Sequence, residues 1–528
     1  MRLVDLLEPR EGDDATPAVF VEDEETTRAA LRRGAEALAA ALRTVGVRPG
    51  HPVAVMLPGG AEVVAAMFGV WTAEAVYVPL NPRTSDAEIA YLVEAVRPAA
   101  IVTTTDWAGR VTGGDLPIVV HAGTDSGQLD WAEAVPGRRT PVDVPAHDAD
   151  IALVQFTSGT TGRPKPVLLR HSGYLALLEP VLAKLVGDAA KDRLAQRKAP
   201  MPNLIPTSMA LSAGIYNVLF AFRVGAPAVI MPTFTTAAFT RAVTKHQIRS
   251  TVLPPAAMNM LTDDPSITSL APLRYVRGIT APLSPLRARL FKDKFGVTVL
   301  NCYGQTEIGG EIVGWNAADA RAFGESKLGS IGRPHAGVTP RIVGPDGLEV
   351  EPGGQGELYV RTPAVSAGYA DGRALGDRLT PDGWFRTGDI ARVDEDGFLW
   401  IEGRVSDMIN RGGLKVFPGE VEEVIRLSPA VADCAVVGIP DDRLGEVPWA
   451  FVVIHPGAAF DRAALTAAAR ERLLPYKVPA RVVQLGELPR TEVGKVRAGD
   501  LIQLATELTR ADPSSPRTGP NSSRTDPS

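Results

Sequence analysis

One short stretch of this chain combines hydroxyl groups, glycines and a lysine in a spacing suited to phosphate. It reads Phe156-Thr157-Ser158-Gly159-Thr160-Thr161-Gly162-Arg163-Pro164-Lys165. Glycines let the backbone turn sharply and approach a ligand, while hydroxyl and free backbone N–H groups donate hydrogen bonds and the lysine adds positive charge. The stretch follows an apolar run, Ile151 to Val154, that predicts a buried strand. It therefore predicts a polyphosphate-binding loop, with an ordinary Ser/Thr/Gly surface turn as the competing interpretation.

This loop differs from the Walker P-loop. That motif needs a lysine directly after its second glycine and then a Ser or Thr. Here Arg163 and Pro164 stand between Gly162 and Lys165. A different type of phosphate loop is therefore expected.

A second polar block follows a strand predicted near Val297 to Asn301, where open α/β sheets bind their ligands. It reads Asn301-Cys302-Tyr303-Gly304-Gln305-Thr306-Glu307. A carboxylate there can hold Mg²⁺ that bridges nucleotide phosphates, and a threonine hydroxyl can donate to a phosphate oxygen. The tyrosine offers a flat face to a base. A loop that merely packs one aromatic ring would give the same pattern.

Three further regions carry groups that suit a nucleotide. They read Trp384-Phe385-Arg386-Thr387-Gly388-Asp389, Gly403-Arg404-Val405-Ser406-Asp407 with Arg411-Gly412-Gly413-Leu414-Lys415, and Leu488-Pro489-Arg490-Thr491-Glu492-Val493-Gly494-Lys495. A carboxylate at a strand end can accept from both ribose hydroxyls, and a forked guanidinium can contact ribose and phosphate. A turn-capping Asp, a glycine-rich hairpin and a solvated lysine are the plainer interpretations.

Taken in order, these blocks resemble the motifs of the adenylate-forming superfamily, which includes acyl-CoA synthetases, peptide-synthetase adenylation domains and luciferases. The resemblance covers roughly residues 25 to 500. Two positions depart from it. Pro166 stands where the family usually has Gly, and Ser406 stands at the hinge position, where Asp or Lys is usual.

The resemblance implies a nucleotide-binding role for most of these residues. Tyr303 is expected beside adenine, Thr306 near the α-phosphate and Glu307 on Mg²⁺. Asp389 is expected to bind ribose, with Arg404 near ribose and phosphate. The full nucleotide-binding set that it implies is Thr157, Ser158, Gly159, Thr160, Thr161, Gly162, Lys165, Tyr303, Asp389 and Arg404.

The resemblance also implies a two-step reaction. A carboxylate attacks MgATP, aided by Lys495 as the leading catalytic residue together with Thr306 and Glu307. The thiol of coenzyme A then attacks the acyl adenylate, after rotation about Ser406 brings Gly412 and Gly413 to a pantetheine channel. The implied cofactors and co-substrates are thus ATP, Mg²⁺ and coenzyme A.

From about residue 25 to 45 the pattern predicts a helix, with Leu31, Ala35, Leu38 and Leu42 on one face. Further helices are predicted at 61–71 and 86–96, and strands at 53–57, 76–80 and 100–104. Such alternation before about residue 300 predicts an α/β fold with a largely parallel sheet. Short apolar stretches between Gly-rich turns at about 331–401 suggest antiparallel strands or a small barrel. The resemblance implies a large N-terminal domain (1–403), a hinge (404–408) and a small mobile α+β lid domain (409–505). From about Ala511 the chain is rich in Pro, Ser, Arg and Asp, and residues 506–528 are predicted to be a disordered tail.

Composition excludes several other classes of protein. A net charge of −6 argues against a general nucleic-acid binder. Two distant cysteines and seven scattered histidines offer no disulfide framework and no metal-ligand spacing. No apolar run is long enough to span a bilayer, and the N-terminus lacks the apolar core of a signal peptide. A cytoplasmic protein, monomeric or homodimeric, is the expectation.

The acid is the least determined part of the prediction. The segments that line the acid pocket in the family correspond to 206–214, 277–282 and 304–309, close to Arg277 and Glu311. The first segment lacks the His or aromatic residue of many acyl-CoA ligases. The apolar lining favours an aryl or medium-chain acid. The pocket residues expected are Met209, Ser212, Gly278, Thr280, Gly304 and Gln305.

Two other functions remain open. The chain could adenylate an acid and pass the adenylate to a carrier-protein thiol or to an amine. The acid could then be as unusual as nitrite. It could also be a catalytically inactive nucleotide-binding scaffold. Retention of Glu307, Asp389 and Lys495 weighs against the inactive scaffold.

The composition of the tail generates a first prediction. A chain that ends after Ala511 should keep its activity within about twofold, because a segment that buries no apolar surface adds nothing to the fold. Steady-state rates of the full and shortened chains provide the measurement. A large loss of rate would mean that the tail is ordered.

Overall fold

The computed structural model describes residues 1–8, 15–111, 117–123, 129–133, 144–157, 164–186, 200–279, 285–490 and 496–511. Several predicted site residues lie outside these ranges, namely Ser158, Gly159, Thr160, Thr161, Gly162, Thr280 and Lys495. The larger of two compact units comprises Met1–Gly354, Leu358–Thr387 and Val393–Trp400. The smaller unit comprises Gln355–Glu357, Gly388–Arg392 and Ile401–Ser528. The predicted limits of the N-terminal domain and of the hinge stay a prediction.

The strands up to residue 343 are Pro17–Val21 (β1), Glu24–Thr27 (β2), Pro52–Met56 (β3), Val76–Pro79 (β4), Ala100–Thr104 (β5), Ile118–Gly123 (β6), Asp130–Glu133 (β7), Ile151–Thr157 (β8), Lys165–Arg170 (β9), Asn203–Ile205 (β10), Ala228–Ile230 (β11), Ser250–Leu253 (β12), Tyr275–Gly278 (β13), Thr298–Asn301 (β14), Tyr303–Gln305 (β15), Gly310–Gly314 (β16), Arg333–Pro334 (β17) and Thr339–Val343 (β18). The helices are Arg28–Thr44 (α1), Ala61–Thr72 (α2), Asp86–Val96 (α3), His171–Val186 (α4), Ser212–Arg223 (α5), Thr236–Lys245 (α6), Pro255–Asp263 (α7), Pro285–Phe295 (α8) and Ala317–Phe323 (α9).

Helix α1 shows how local sequence sets an element. The Thr27 side chain accepts a hydrogen bond from the backbone N–H of Ala30 and so caps the first turn. The face predicted to be apolar is buried, with Leu31, Ala35, Leu38 and Leu42 at most 1% exposed. This face packs on α2. The predicted helix is therefore confirmed, and it begins three residues later than expected because β2 occupies Glu24–Thr27.

A seven-stranded sheet in the order β7-β6-β5-β3-β4-β8-β9 is the largest in the structure. Strands β3, β4, β5, β6 and β8 pair in parallel, whereas β8 and β9 form an antiparallel hairpin. The sequence predicted β3, β4, β5 and β8, and the α/β class is confirmed. This sheet ends at the hairpin that carries the predicted phosphate loop.

A second, three-stranded parallel sheet has the order β12-β13-β14. Its register aligns Leu253 with Gly278 and Gly278 with Asn301. All three strands therefore end at one edge, where the chain enters β15 and the Tyr303–Glu307 block. This is the edge at which parallel sheets bind ligands.

Two smaller sheets complete the early part of the chain, in the orders β10-β11-β1-β2 and β15-β16-β17. The short strands predicted at 331–401 are also present. They are Gly356–Arg361 (β19), Phe385–Val393 (β20) and Leu399–Arg404 (β21), and the four-stranded sheet there has the order β18-β19-β20-β21.

The smaller unit has the predicted α+β character. Its elements are Ile409–Arg411 (β22), Leu414–Val416 (β23), Pro418–Ile425 (α10), Val431–Asp441 (β24), Gly445–Ile454 (β25), Arg462–Arg472 (α11), Arg481–Leu485 (β26) and Ala498–Ala511 (α12). The sheet has the order β23-β22-β25-β24, with β26 beside β25. Adjacent residues of β24 face opposite sides of this sheet, so Val436 packs with α10 and α11 while Val437 packs with α12.

Helix α12 corrects one predicted limit. Residues 506–511, which were assigned to the tail, are helical. Leu501 and Ala505 of this helix are fully buried against the sheet, which holds the helix past the expected boundary.

The residues that the structure describes include neither a membrane-spanning helix nor a cluster of metal ligands. None of the helices there is long and apolar enough to cross a membrane. Across the same ranges, no group of three His, Cys, Asp or Glu side chains could hold a metal ion.

Candidate functional site

The β8–β9 hairpin positions the predicted phosphate loop. Thr157 and Lys165 are paired across its open end, where the chain leaves β8 and enters β9. The five loop residues from Ser158 to Gly162 lie between them, outside the described residues. The Lys165 ammonium is 5.9 Å from the centroid of the Tyr369 ring. The hairpin thus holds a half-buried cation at the mouth of the loop.

The chain segment from Ser366 to Ala370 joins this hairpin to the Glu307 block. Its Ala367 N–H donates to the Leu168 carbonyl oxygen at 3.0 Å, which ties the segment to β9. The Ser366 N–H donates to the carbonyl oxygen of Glu307 at 2.8 Å. The larger unit therefore brings two sequence-predicted site regions together through a segment that the sequence analysis did not single out.

Glu307 is buried and its charge is paired. The residue is 7% exposed, and its Oε1 lies 2.5 Å from Nη1 of Arg378. Nη2 of Arg378 donates to Oε1 of Gln305 at 2.7 Å. The same guanidinium lies 4.5 Å from the centroid of the Phe385 ring. The carboxylate predicted to bind magnesium is thus paired with a cationic side chain of the protein, that of Arg378.

The Gln305 amide fixes the rest of this block. Its Nε2 donates to the Tyr303 hydroxyl at 3.1 Å and to the Thr387 carbonyl oxygen at 2.8 Å. Thr306 and Glu307 then form a single 3₁₀ turn that ends at Gly309. Because three side chains share one hydrogen-bond network, the orientation of Tyr303 depends on Arg378 through Gln305.

Tyr369 lies between the two charged sites. Burial raises the pKa of its phenol above the usual range, and the neighbouring Glu307 carboxylate adds to this effect. The hydroxyl therefore stays protonated at neutral pH and remains a hydrogen-bond donor.

Glycine is required at position 304 by the approach of two strands. Gly304 of β15 is paired with Glu311 of β16. A Cβ at Gly304 would lie 1.7 Å from the carbonyl oxygen of Gly310. Any side chain there would force the strands apart.

The predicted pocket residues lie on three separate elements of the larger unit. Met209 is buried before α5, and Ser212 is the first residue of that helix. Gly278 ends β13, and a Cβ there would lie 2.7 Å from Oδ1 of Asn301. Gly304 and Gln305 belong to β15. Thr280 lies outside the described residues.

Behind Gly278, the structure pairs Arg277 with Glu311, the two charged residues noted near the pocket. Nη1 of Arg277 is 3.0 Å from Oε2 of Glu311, and Nε2 of His335 is 3.1 Å from Oε1. Burial opposes ionisation of Glu311, but Arg277 and the His335 hydrogen bond outweigh it and lower the pKa of Glu311 to about 2.

The smaller unit carries the remaining predicted residues. Oδ1 of the buried Asp389 is 3.0 Å from Nε of Arg404. Ser406 Oγ donates to Oδ1 of Asp407 at 2.7 Å. Lys495 lies outside the described residues, next to Val496, which forms an antiparallel bridge with Arg490.

Gly412 and Gly413 form the two-residue turn of the β22–β23 hairpin. Their φ angles of +60° and +87° are in the region that favours glycine. The Gly413 N–H donates to the Asn410 side chain at 3.0 Å. The segment is therefore a tight hairpin.

Sequence reasoning missed Arg378, His335 and Tyr369. Arg378 is 71 residues from its partner Glu307, and His335 is 24 residues from Glu311. Neither belongs to a recognisable motif. The one available signal was a charged residue, Glu311, four positions after Glu307, since a buried carboxylate requires a cation nearby.

Two family models match this chain. That of the AMP-binding enzymes covers residues 9–370, and that of the AMP-binding enzyme C-terminal domain covers residues 420–495.

Individual relatives match over nearly the whole chain. The chain is 33% identical to the indoleacetate–CoA ligase of Aromatoleum aromaticum over 484 residues, which cover 90% of this chain and 92% of the relative. It is 32% identical to the sulfoacetate–CoA ligase of Cupriavidus necator over 488 residues, covering 91% and 92%. Among solved structures, it resembles an amide bond synthetase from Marinactinospora thermotolerans, with 27% identity, a TM-score of 0.81 and coverage of 95% and 99%.

The contact at Gly304 generates a stability prediction. Gly304→Ala should lower the free energy of unfolding, because the new methyl group meets a backbone oxygen. The expected loss is about 1–3 kcal/mol or more, since overpacking typically costs that much. Gly109→Ala is the control, since a Cβ at Gly109 has no heavy-atom neighbour within 4 Å in the part of the chain that the structure describes. Urea unfolding of both variants provides the measurement. Equal stabilities would contradict the assigned strand contact.

Proposed function

This chain belongs to the family of AMP-binding enzymes, and we propose that it activates a carboxylic acid with ATP and transfers the acyl group to coenzyme A. The observation that carries the proposal is the setting of Glu307. This buried carboxylate follows Thr306 at the binding edge of a parallel sheet, and one short segment links it to the Lys165 hairpin. A polyphosphate and its counter-ion would meet complementary groups there.

The residues at this edge fit a magnesium ion that is bound mainly through substrate phosphates. Such an ion needs one or two carboxylates from the protein, so Glu307 alone would suffice. The Glu307 carboxylate already binds a cation, Arg378, at 2.5 Å. When bound, Mg²⁺ would neutralise charge on the phosphate oxygens. Arg378 would then release Glu307 and keep its contacts with Gln305 and Phe385.

In the first step, an oxygen of the acid attacks the α-phosphorus of ATP. The bond to the β-phosphate oxygen breaks, pyrophosphate leaves with the bonding electrons, and an acyl adenylate remains. Both reactants are anions, so we assign Lys495 to the reduction of their repulsion. Lys165, Thr157 and the loop between them would hold the phosphates, and Asp389 with Arg404 the ribose.

In the second step, the thiol sulfur of coenzyme A attacks the acyl carbon. The carbon–oxygen bond to the phosphate breaks, AMP leaves, and the thiol proton passes to solvent. We assign the exchange of the two active conformations to rotation at Ser406. The Gly412–Gly413 turn would then line the pantetheine path. Dividing one condensation into two steps through an activated intermediate lowers each barrier.

For the acid, we propose an aryl or medium-chain compound. An indoleacetate–CoA ligase among the relatives supports the aryl alternative, and the buried Met209 supplies apolar surface. The sulfoacetate–CoA ligase indicates that such relatives differ in the acid they use.

An amine acceptor is the second candidate. The amide bond synthetase that resembles this chain supports it, because an adenylate can be attacked by nitrogen as well as by sulfur. A carrier-protein thiol would require the same adenylate. An inactive scaffold is disfavoured, since the acidic groups assigned to magnesium and ribose are both retained.

Lys495 provides the test of the two-step scheme. Lys495→Ala should slow adenylate formation by about 10²–10³-fold, the usual effect of removing one charge-stabilising group. Thioester formation from supplied acyl-AMP should change little. Lys292→Ala, a change at a half-buried lysine of the larger unit that pairs with Glu325, is the control. An equal loss in both half-reactions would contradict the assigned role.

Glu307 and Arg378 give opposite predictions for magnesium. Glu307→Gln should raise the Mg²⁺ concentration needed for half-maximal pyrophosphate release by about tenfold or more, whereas Arg378→Gln should lower it, because a competing cation is removed. Arg223→Gln is the control, since that arginine has a similar exposure and pairs with Glu179 instead. Unchanged magnesium dependence in Glu307→Gln would remove Glu307 as a ligand.

A further inference from the structure

A buried polar cluster lies directly behind the acid-pocket segments. It consists of Tyr216, Arg277, Cys302, Glu311 and His335, all within the larger unit. Arg277 precedes Gly278 on β13, Glu311 pairs with Gly304, and Tyr216 lies on the helix that begins at Ser212.

The cluster has direct contacts with pocket backbone. Cys302 Sγ donates to the carbonyl oxygen of Gly278 at 3.2 Å. Among the described residues, Cδ2 of Tyr216, at 3.9 Å, is the only heavy atom outside the adjoining chain that lies within 4 Å of a Cβ built at Gly310. The described residues therefore leave space next to Gly310, and the Tyr216 ring borders it.

The charges in the cluster compensate each other. The Arg277 and Glu311 side chains are each 11% exposed and form an ion pair at 3.0 Å. Arg277 and the hydrogen bond from His335 keep Glu311 ionised despite its burial. A charged group on a substrate would have to displace one member of this pair, and an uncompensated buried charge is strongly unfavourable. The cluster is therefore suited to an uncharged group.

Two buried polar atoms of the cluster have no hydrogen-bond partner among the described residues. They are the Tyr216 hydroxyl and Nδ1 of His335, and the two residues are 6% and 3% exposed. His335 Nε2 lies 3.1 Å from Oε1 of Glu311, so Nδ1 is the ring nitrogen that has no partner among the described residues. Buried donors and acceptors are rarely left unsatisfied. A polar group of a ligand or an ordered water would complete them.

We propose that this cluster determines acid specificity, and that it selects acids with an uncharged hydrogen-bonding group, such as a hydroxyl, far from the reacting carboxylate. The proposal rests on the proposed function, since it concerns the same pocket. Tyr216 contributes the hydrogen bond, and the Arg277–Glu311 pair excludes acids with a charge at the same end.

The test compares three acids of one carbon skeleton, with hydrogen, hydroxyl or carboxylate at the distal position. Wild-type kcat/KM for pyrophosphate release should be highest for the hydroxylated acid. Tyr216→Phe should lower that value by about tenfold or more, the effect of one buried hydrogen bond, and leave the unsubstituted acid within about twofold. An unchanged unfolding temperature would separate this loss from misfolding.

Glu311→Gln gives an independent arm. It leaves the Arg277 charge uncompensated, so activation of the distal carboxylate relative to the hydroxylated acid should rise by about tenfold or more. Glu349→Gln, which changes an exposed carboxylate paired with Arg341, is the control.

Each other outcome has a definite meaning. If Tyr216→Phe lowers both uncharged acids equally, or wild type favours the unsubstituted acid, the tyrosine binds only water and the inference is overturned. Preference of wild type for the distal carboxylate also overturns it. Pyrophosphate release with acids outside this pattern leaves the proposed function intact, whereas no release with any acid overturns both.

Discussion

A carboxylate removed from water needs a cation close by, and this requirement shapes the site of the larger unit. An unpaired buried charge costs several kcal/mol, on the order of the whole stability of a domain. Glu307 is matched by Arg378 and Glu311 by Arg277, at 2.5 and 3.0 Å. The two carboxylates stand four residues apart on either side of a turn at Gly309 and Gly310, whose φ angles are +78° and +127°. One short stretch therefore carries the group assigned to the nucleotide and the group assigned to the acid.

The two pairs differ in what they allow. Arg378 is about one-third exposed, so a cation from solvent can compete for Glu307. Arg277 is only 11% exposed, and His335 occupies the other oxygen of Glu311, so that pair resists exchange. A carboxylate–arginine pair can thus provide an exchangeable cation site at Glu307 and a permanent ion pair at Glu311. This contrast underlies the proposals for magnesium and for acid selection.

Much of the architecture was predictable because its causes are local. Helices α1 and α3 begin after Thr27 and Ser85, whose side chains cap them, and the sequence predicted a helix at both places. Polar blocks at strand ends identified Tyr303–Glu307 because the chemistry lies in consecutive residues. Arg378 and His335 could not be found in this way, because only tertiary packing brings them to their carboxylates. Residues 506–511 were misjudged because a polar sequence hid the few buried contacts, at Leu501 and Ala505, that hold α12 in place.

The most direct measurement is the exchange of labelled pyrophosphate into ATP, with each acid of a broad panel and with coenzyme A absent or present. The account predicts exchange that depends on one class of acid and needs no coenzyme A, and then formation of one thioester for each AMP once coenzyme A is added. Exchange in the absence of any acid, or a requirement for coenzyme A before exchange begins, would contradict an adenylate formed ahead of thiol transfer.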